Sequence, residues 1–99
     1  MYEIDPSRTD LAREFRENPD GPYSEELTLV VNRMRMMPMA ERHILICLEP
    51  ARRWMLARIP SARGAPVERF EDRVFTDYGA AIWEVFRMHW QTLTGEELA

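Results

Sequence analysis

Two side chains in the stretch HILIC, those of His43 and Cys47, are of types that bind metals or act as a base and a nucleophile. In an extended strand, residues four positions apart share a face but lie about 13 Å apart, at about 3.3 Å per residue. A zinc ion holds its ligands within about 2.3 Å, so the pair cannot share one ion. Apolar surroundings also raise the pKa of a thiol and disfavour the thiolate. We therefore predict that Cys47 is a buried structural thiol and that this chain holds no metal.

His89 is the other candidate for acid–base chemistry, and it lies beside Trp90. We expect it to be packed and hydrogen-bonded, with a catalytic base as the alternative. Six of the 17 acidic residues form adjacent pairs, whose side chains diverge and indicate solvated surface; the pairs are Glu25/Glu26, Glu71/Asp72 and Glu96/Glu97. We predict no catalytic residue on this chain.

The elements that position these side chains begin with two helices. Asp5-Pro6 predicts the start of the first, as an N-cap followed by proline, and residues 18–22 (NPDGP) end it. Ser24 predicts the N-cap of the second, which Pro38 ends. The helical spacing turns four apolar residues of the second helix inward, namely Leu27, Val30, Val31 and Met34.

A hairpin and a long helix follow. His43–Leu48 predicts a strand that is apolar on both faces, so both faces should be covered. The turn Pro50–Arg53 leads into a second strand over 54–59, and residues 67–75 can add a short third strand. Thr76 or Asp77 caps a last helix, whose apolar residues span about 160° of its circumference, and Gly95 ends it.

The resulting prediction is an α+β fold, a small helical domain with a β-hairpin in the order helix-helix-strand-strand-helix. We expect one domain over residues 1–99, with an N-terminal helical arm over 1–20 and a compact body over 21–95.

Composition excludes several classes of protein. All 13 basic residues are arginine, the net charge is −4, and residues 42–73 hold seven arginines against four acids. This excess of three positive charges is thin for nucleic acid, where phosphate contacts dominate affinity. No apolar run approaches the roughly 20 residues that span a bilayer, and the N-terminus lacks a signal peptide, so we expect a cytoplasmic protein. The single cysteine agrees with a reducing compartment.

Surplus apolar surface is the clearest functional signal. Leu29 and Met36 lie away from the inward stripe of their helix, and three tryptophans are many for a domain that buries only about 60–65 % of its unfolded surface. The aromatic residues could simply fill the core. The alternative is a partner interface, where Trp and Arg are enriched and Met packs adaptably. The predicted interface residues are Leu29, Arg33, Arg35, Met36, Met39, Arg52, Arg53, Trp54, Trp83 and Trp90.

The order of several packing residues resembles the small subunit of N,N-dimethylformamidase over about residues 21–90. The residues that carry the resemblance are Pro22-Tyr23, Leu27, Arg35-Met36 with Pro38, Arg42 before an apolar strand, Trp54 at the start of the next strand, Phe75, and Val85-Phe86. The resemblance implies a two-component amidohydrolase in which a large subunit holds a mononuclear iron and hydrolyses the amide. It implies that the small subunit has no iron ligands and packs on the large one.

Three hypotheses follow. The first is a non-catalytic accessory subunit of a hetero-oligomeric amidohydrolase, which docks on and stabilises a large iron-dependent catalytic subunit. The second is a self-contained homodimer that serves as an interaction domain or binds a small ligand in an arginine-lined pocket. The third is a small enzyme that uses His43, Cys47 or His89.

Overall fold

The computed structural model describes residues 2–37, 42–60 and 64–98. These residues form three helices and a three-stranded antiparallel sheet. In chain order they are α1 Thr9–Glu17, α2 Glu25–Arg35, β1 His43–Glu49, β2 Arg53–Arg58, β3 Glu68–Phe75 and α3 Tyr78–Thr94. The predicted α+β class is confirmed, and the third strand over 67–75 is present as β3. The predicted helix end at Pro38 and the interface residue Met39 lie outside the described residues.

The first helix begins later than the sequence predicted. Asp5-Pro6 does not start α1, because the Asp5 side chain accepts hydrogen bonds from the backbone N–H and the hydroxyl of Ser7. This local bond holds the chain in a turn, and the helix starts only at Thr9. The predicted stop is confirmed, since Asn18 is the C-cap of α1.

The other helix ends follow their capping residues. The Ser24 hydroxyl accepts from the N–H of Leu27 at the start of α2, and the Asp77 carboxylate accepts from the N–H of Ala80 at the start of α3. Gly95 ends α3 at φ +78°, a left-handed conformation that glycine adopts without a Cβ penalty. These three predicted caps are confirmed.

The core lies between the three helices. The rings of Phe15 on α1 and Phe86 on α3 stack with centroids 4.3 Å apart, and Trp83 stacks on Phe86 at 5.6 Å. The side chains buried here include Leu11, Phe15, Leu27, Val30, Met34, Met37, Phe86, Trp90 and Leu98. The helix of the predicted N-terminal arm therefore contributes its whole apolar stripe to the same core as α2 and α3.

The sheet has the order β1-β2-β3, so β2 is central and β1 and β3 are edges. Cys47 lies opposite Trp54, and Trp54 opposite Phe75, which places all three side chains on one face. That face meets α3, because the Trp54 ring packs on Tyr78 at 5.2 Å. We call it the helix face. Glu84 of α3 ties the helix to β3 through an ion pair with Arg73 at 2.8 Å.

The two edge strands differ in chemistry. β3 reads ERFEDRVF and carries five charged residues, and the register shifts where it faces Met55 to Ala57. Charges and irregularities of this kind discourage a further strand from pairing. β1 reads HILICLE and is uncharged from Ile44 to Leu48. Its own irregularity lies at its end, between Cys47 and Glu49.

Candidate docking surface

The exposed flank of α2 carries the apolar residues that the helical spacing placed outside the core. Leu29 is 45 % exposed and Met36 is 63 % exposed, whereas Leu27, Val30 and Met34 of the same helix are buried. We call Leu29 and Met36 the α2 flank. Single exposed apolar residues are common on soluble proteins. The α2 flank therefore indicates a docking surface only if the surface next to it is apolar as well.

That neighbouring surface is a groove of about 440 Å³ between α2, α3 and β1. Its apolar lining includes Val31 and Met34 of α2, Ile82, Val85 and Phe86 of α3, and Ile44 and Leu45 of β1. Neighbouring residues of a strand point to opposite faces. A groove that touches both Ile44 and Leu45 therefore meets β1 along its edge, not over one face.

Charged groups stand among this apolar lining. Arg35 at the end of α2 and Arg42 before β1 both line the groove, together with Asp20. Within residues 2–37, 42–60 and 64–98, neither arginine forms an ion pair, so the groove has an excess of one positive charge. Tyr23 also lines the groove, and its hydroxyl donates a hydrogen bond to the carbonyl of Pro19. Burial raises the pKa of the Tyr23 hydroxyl.

His89 lines the groove and lies against His43, a proximity that sequence spacing did not reveal. The backbone N–H of His43 donates to Nε2 of His89 at 3.0 Å, and the two ring centroids are 6.1 Å apart. Burial, with the nearby His43 and Arg42, lowers the pKa of His89 to about 4. The pKa of His43 is also lowered, chiefly by burial. His89 is thus a neutral, hydrogen-bonded side chain that joins α3 to the start of β1, as predicted for a packed histidine.

The three tryptophans have different environments. Trp90 is 1 % exposed and fills the core, so we remove it from the candidate surface. Trp83 is half-buried, and the Arg16 guanidinium lies 5.2 Å from its ring centroid. Trp54 is half-buried against Tyr78. Of the three, Trp54 and Trp83 keep part of their surface available to a partner.

The predicted arginines occupy separate places. Arg52 and Arg53 are exposed at the hairpin, where Arg53 pairs with Glu49 at 3.4 Å. Arg33 is half-buried on α2, and Arg35 lines the groove. The structure thus brings Arg35 to the groove and leaves the hairpin arginines on a different part of the surface.

Cys47 corrects one prediction. The thiol is exposed, not buried. It lies near the end of an edge strand, where residues 47–49 are all exposed, and α3 does not cover it. The expectation that both faces of β1 would be covered is correspondingly wrong at this end of the strand.

Sequence reasoning did not identify the groove. It turned Val31 towards the core, it left the aromatic residues of α3 open between core and partner interface, and it gave no structural role to Tyr23 or Arg42. One signal pointed to it, since an apolar arc of about 160° on α3 is wider than packing against one sheet requires. The described residues contain no group of three or more His, Cys, Asp or Glu side chains that could hold a metal ion. None of the described helices is long and apolar enough to cross a membrane.

Comparison with known proteins identifies the family. No curated protein matches the chain. A family model described as "N,N-dimethylformamidase alpha subunit" matches residues 4–99, which extends the resemblance seen over 21–90 to nearly the full sequence. The α2 flank, the groove and the buried aromatic core are thus features of a protein whose family is defined by its place in a multi-subunit enzyme. The chain belongs to the N,N-dimethylformamidase alpha subunit family.

Proposed function

We propose that this chain is the non-catalytic small subunit of a hetero-oligomeric amidohydrolase, and that it docks on and stabilises a large catalytic subunit. The observation that carries the proposal is the family match over residues 4–99. An alpha subunit is by definition one component of an assembly, so a partner subunit follows from the family itself.

The surface of the chain supports docking as the means. The α2 flank and the apolar groove lie on different sides of α2, with the exposed polar residue Asn32 between them, so a partner that wraps around this helix would cover the whole region. Burying such a region against a partner is favourable at about 25 cal/mol per Å² of apolar surface. Arginines of α2 such as Arg33 and Arg35 would lie at the rim, where each ion pair is worth roughly 0–1 kcal/mol and helps to orient the partner.

We place the mononuclear iron and the amide hydrolysis on the large subunit. The described part of this chain does not fit an iron site, because its acidic and histidine side chains are not gathered in a group of three. His89 is a hydrogen-bond acceptor within the fold, and we assign it no step of the reaction. We expect the complex to work in the cytoplasm.

Co-expression tests this proposal. The chain is produced alone and together with a large amidohydrolase subunit encoded beside it, and each preparation is analysed by size exclusion with light scattering. We expect the isolated chain to self-associate or aggregate, and the co-expressed pair to elute as one complex of fixed stoichiometry. A stable, monodisperse monomer that forms no complex with the large subunit would overturn the proposal.

A further inference from the structure

The edge of β1 is open to a further strand. Within the described residues, β1 pairs with β2 on one side and with no strand on the other. Every second backbone N–H and C=O group of an edge strand points away from the sheet and requires a partner or water. These groups border the groove, because the groove touches both Ile44 and Leu45.

The sequence of β1 leaves this edge without the usual protection. Proteins commonly blunt an exposed edge with charged residues, proline or a bulge in the middle of the strand. β3 has charges at Glu68, Arg69, Glu71, Asp72 and Arg73. From Ile44 to Leu48, β1 has none. This difference in charge indicates that the free edge of β1, and not that of β3, is suited to pairing with a further strand.

The groove beside β1 supplies the remaining chemistry. Its walls are apolar side chains of α2 and α3, which suit the alternate side chains of an extended segment. Arg35 and Arg42 have no ion-pair partner in the described part of the chain, and they complement an acidic residue on the incoming segment.

We propose that an extended segment of the large subunit, apolar with at least one acidic residue, adds to β1 as a fourth strand and fills the groove between α2 and α3. This inference rests on the proposed function and specifies where the large subunit docks. The main-chain hydrogen bonds of the added strand supply affinity, and the groove and its two arginines supply specificity.

Hydrogen exchange on the co-purified complex tests the added strand directly. We expect the outward-facing amides between Ile44 and Glu49 to exchange quickly in the isolated chain at low concentration and at least 10-fold more slowly in the complex. The amide of His43 is left out of the comparison, because it already donates to His89 in the isolated chain. The outer amides of Glu68–Phe75 serve as an internal control, and we expect no change there. A complex in which β1 is not protected, or in which β3 is protected instead, would overturn the inference while leaving the proposed function intact.

Charge reversal tests the groove. We expect the double variant R35E/R42E to weaken binding of the large subunit about 10-fold, whereas R69E on the opposite edge strand leaves it within twofold of the native chain. Circular dichroism and melting temperature confirm that both variants fold. Equal binding by R35E/R42E and the native chain contradicts the inference.

Two further outcomes assign the groove to another occupant and also contradict the inference. Protection of β1 that depends on the concentration of the isolated chain, and stays unchanged in the complex, would identify a second copy of this chain. Binding of inorganic phosphate that R35E/R42E abolishes, with the complex unaffected, would identify a small-anion pocket. Failure of the native pair to form any complex would refute both this inference and the proposed function.

Discussion

At the scale of single residues, burial decides the charge of His89. Its Nε2 accepts the backbone N–H of His43, which requires an unprotonated nitrogen at that position. Protonation would remove the acceptor and place a cation close to Arg42 and His43. The low pKa of His89, about 4, is therefore a measure of how strongly the fold prefers the neutral ring.

This preference predicts a pH dependence of stability. The unfolded chain binds a proton at His89 near its ordinary pKa of 6.5, while the folded chain does so only near 4, so stability is full above pH 6.5 and falls as the pH drops towards 4. We expect the free energy of unfolding to drop by about 2 kcal/mol more between pH 7 and pH 5 in the native chain than in H89Q, which cannot titrate.

Urea unfolding of the isolated chain at low concentration, followed by tryptophan fluorescence, measures the difference. The glutamine of H89Q can still accept a hydrogen bond but cannot titrate. A lower free energy of unfolding of H89Q at pH 7 therefore measures lost packing, and the difference in slope below pH 7 measures the lost titration. The same pH dependence in both proteins would show that His89 is not the titrating group.

At the scale of elements, the two ends of α3 depend on different backbone requirements. Gly95 has φ +78° and open space around a Cβ, so a side chain there is limited by backbone strain alone. Gly79 lies in the first turn without a positive φ, and a Cβ would meet only the Asp77 carboxylate at ordinary contact distance. The two glycines thus form a matched pair within one helix.

We expect G95A to lower the free energy of unfolding by about 1 kcal/mol, because alanine pays for the left-handed conformation. We expect G79A to raise it by about 0.5–1 kcal/mol, because alanine favours the helix and restricts the unfolded chain. Chemical denaturation of both variants checks the signs. Equal effects of the two substitutions would contradict the assignment of Gly95 as the left-handed C-cap.

The elements were largely predictable because their signals are local. Ser24, Asp77 and Gly95 are caps whose effect is confined to neighbouring backbone groups. A continuous apolar run identified β1, and the turn that follows it identified β2. The start of α1 was not predictable from the sequence, because an aspartate such as Asp5 can form either an Asx turn or an N-cap. The groove was not predictable either. It depends on how far α2 and α3 stand apart beside β1, a tertiary distance that no local pattern encodes.

At the scale of the whole molecule, the α2 flank predicts how the isolated chain behaves. Leu29 and Met36 make apolar surface that water covers in the free chain and that another protein molecule can cover instead. We expect the double variant L29S/M36S to reduce self-association without lowering the melting temperature, because neither side chain contributes to the core.

Light scattering across a range of concentrations measures this effect. N32S, at an exposed polar position of the same helix, is the matched control, and we expect it to associate as the native chain does. A loss of thermal stability in L29S/M36S would show instead that the flank supports the fold. Unchanged association would exclude the flank as a contact surface.

The unlike edges of the sheet also limit how large an assembly can grow. Lengthening a sheet without end requires two receptive edges, one for each neighbour, and the charged strand β3 offers none. One strand added to β1 therefore exhausts the capacity of this chain for sheet extension. Two copies that met through β1 would close as a symmetric pair, and neither arrangement propagates into a fibre. The asymmetry of charge between two short strands thus favours a discrete particle with a fixed ratio of subunits.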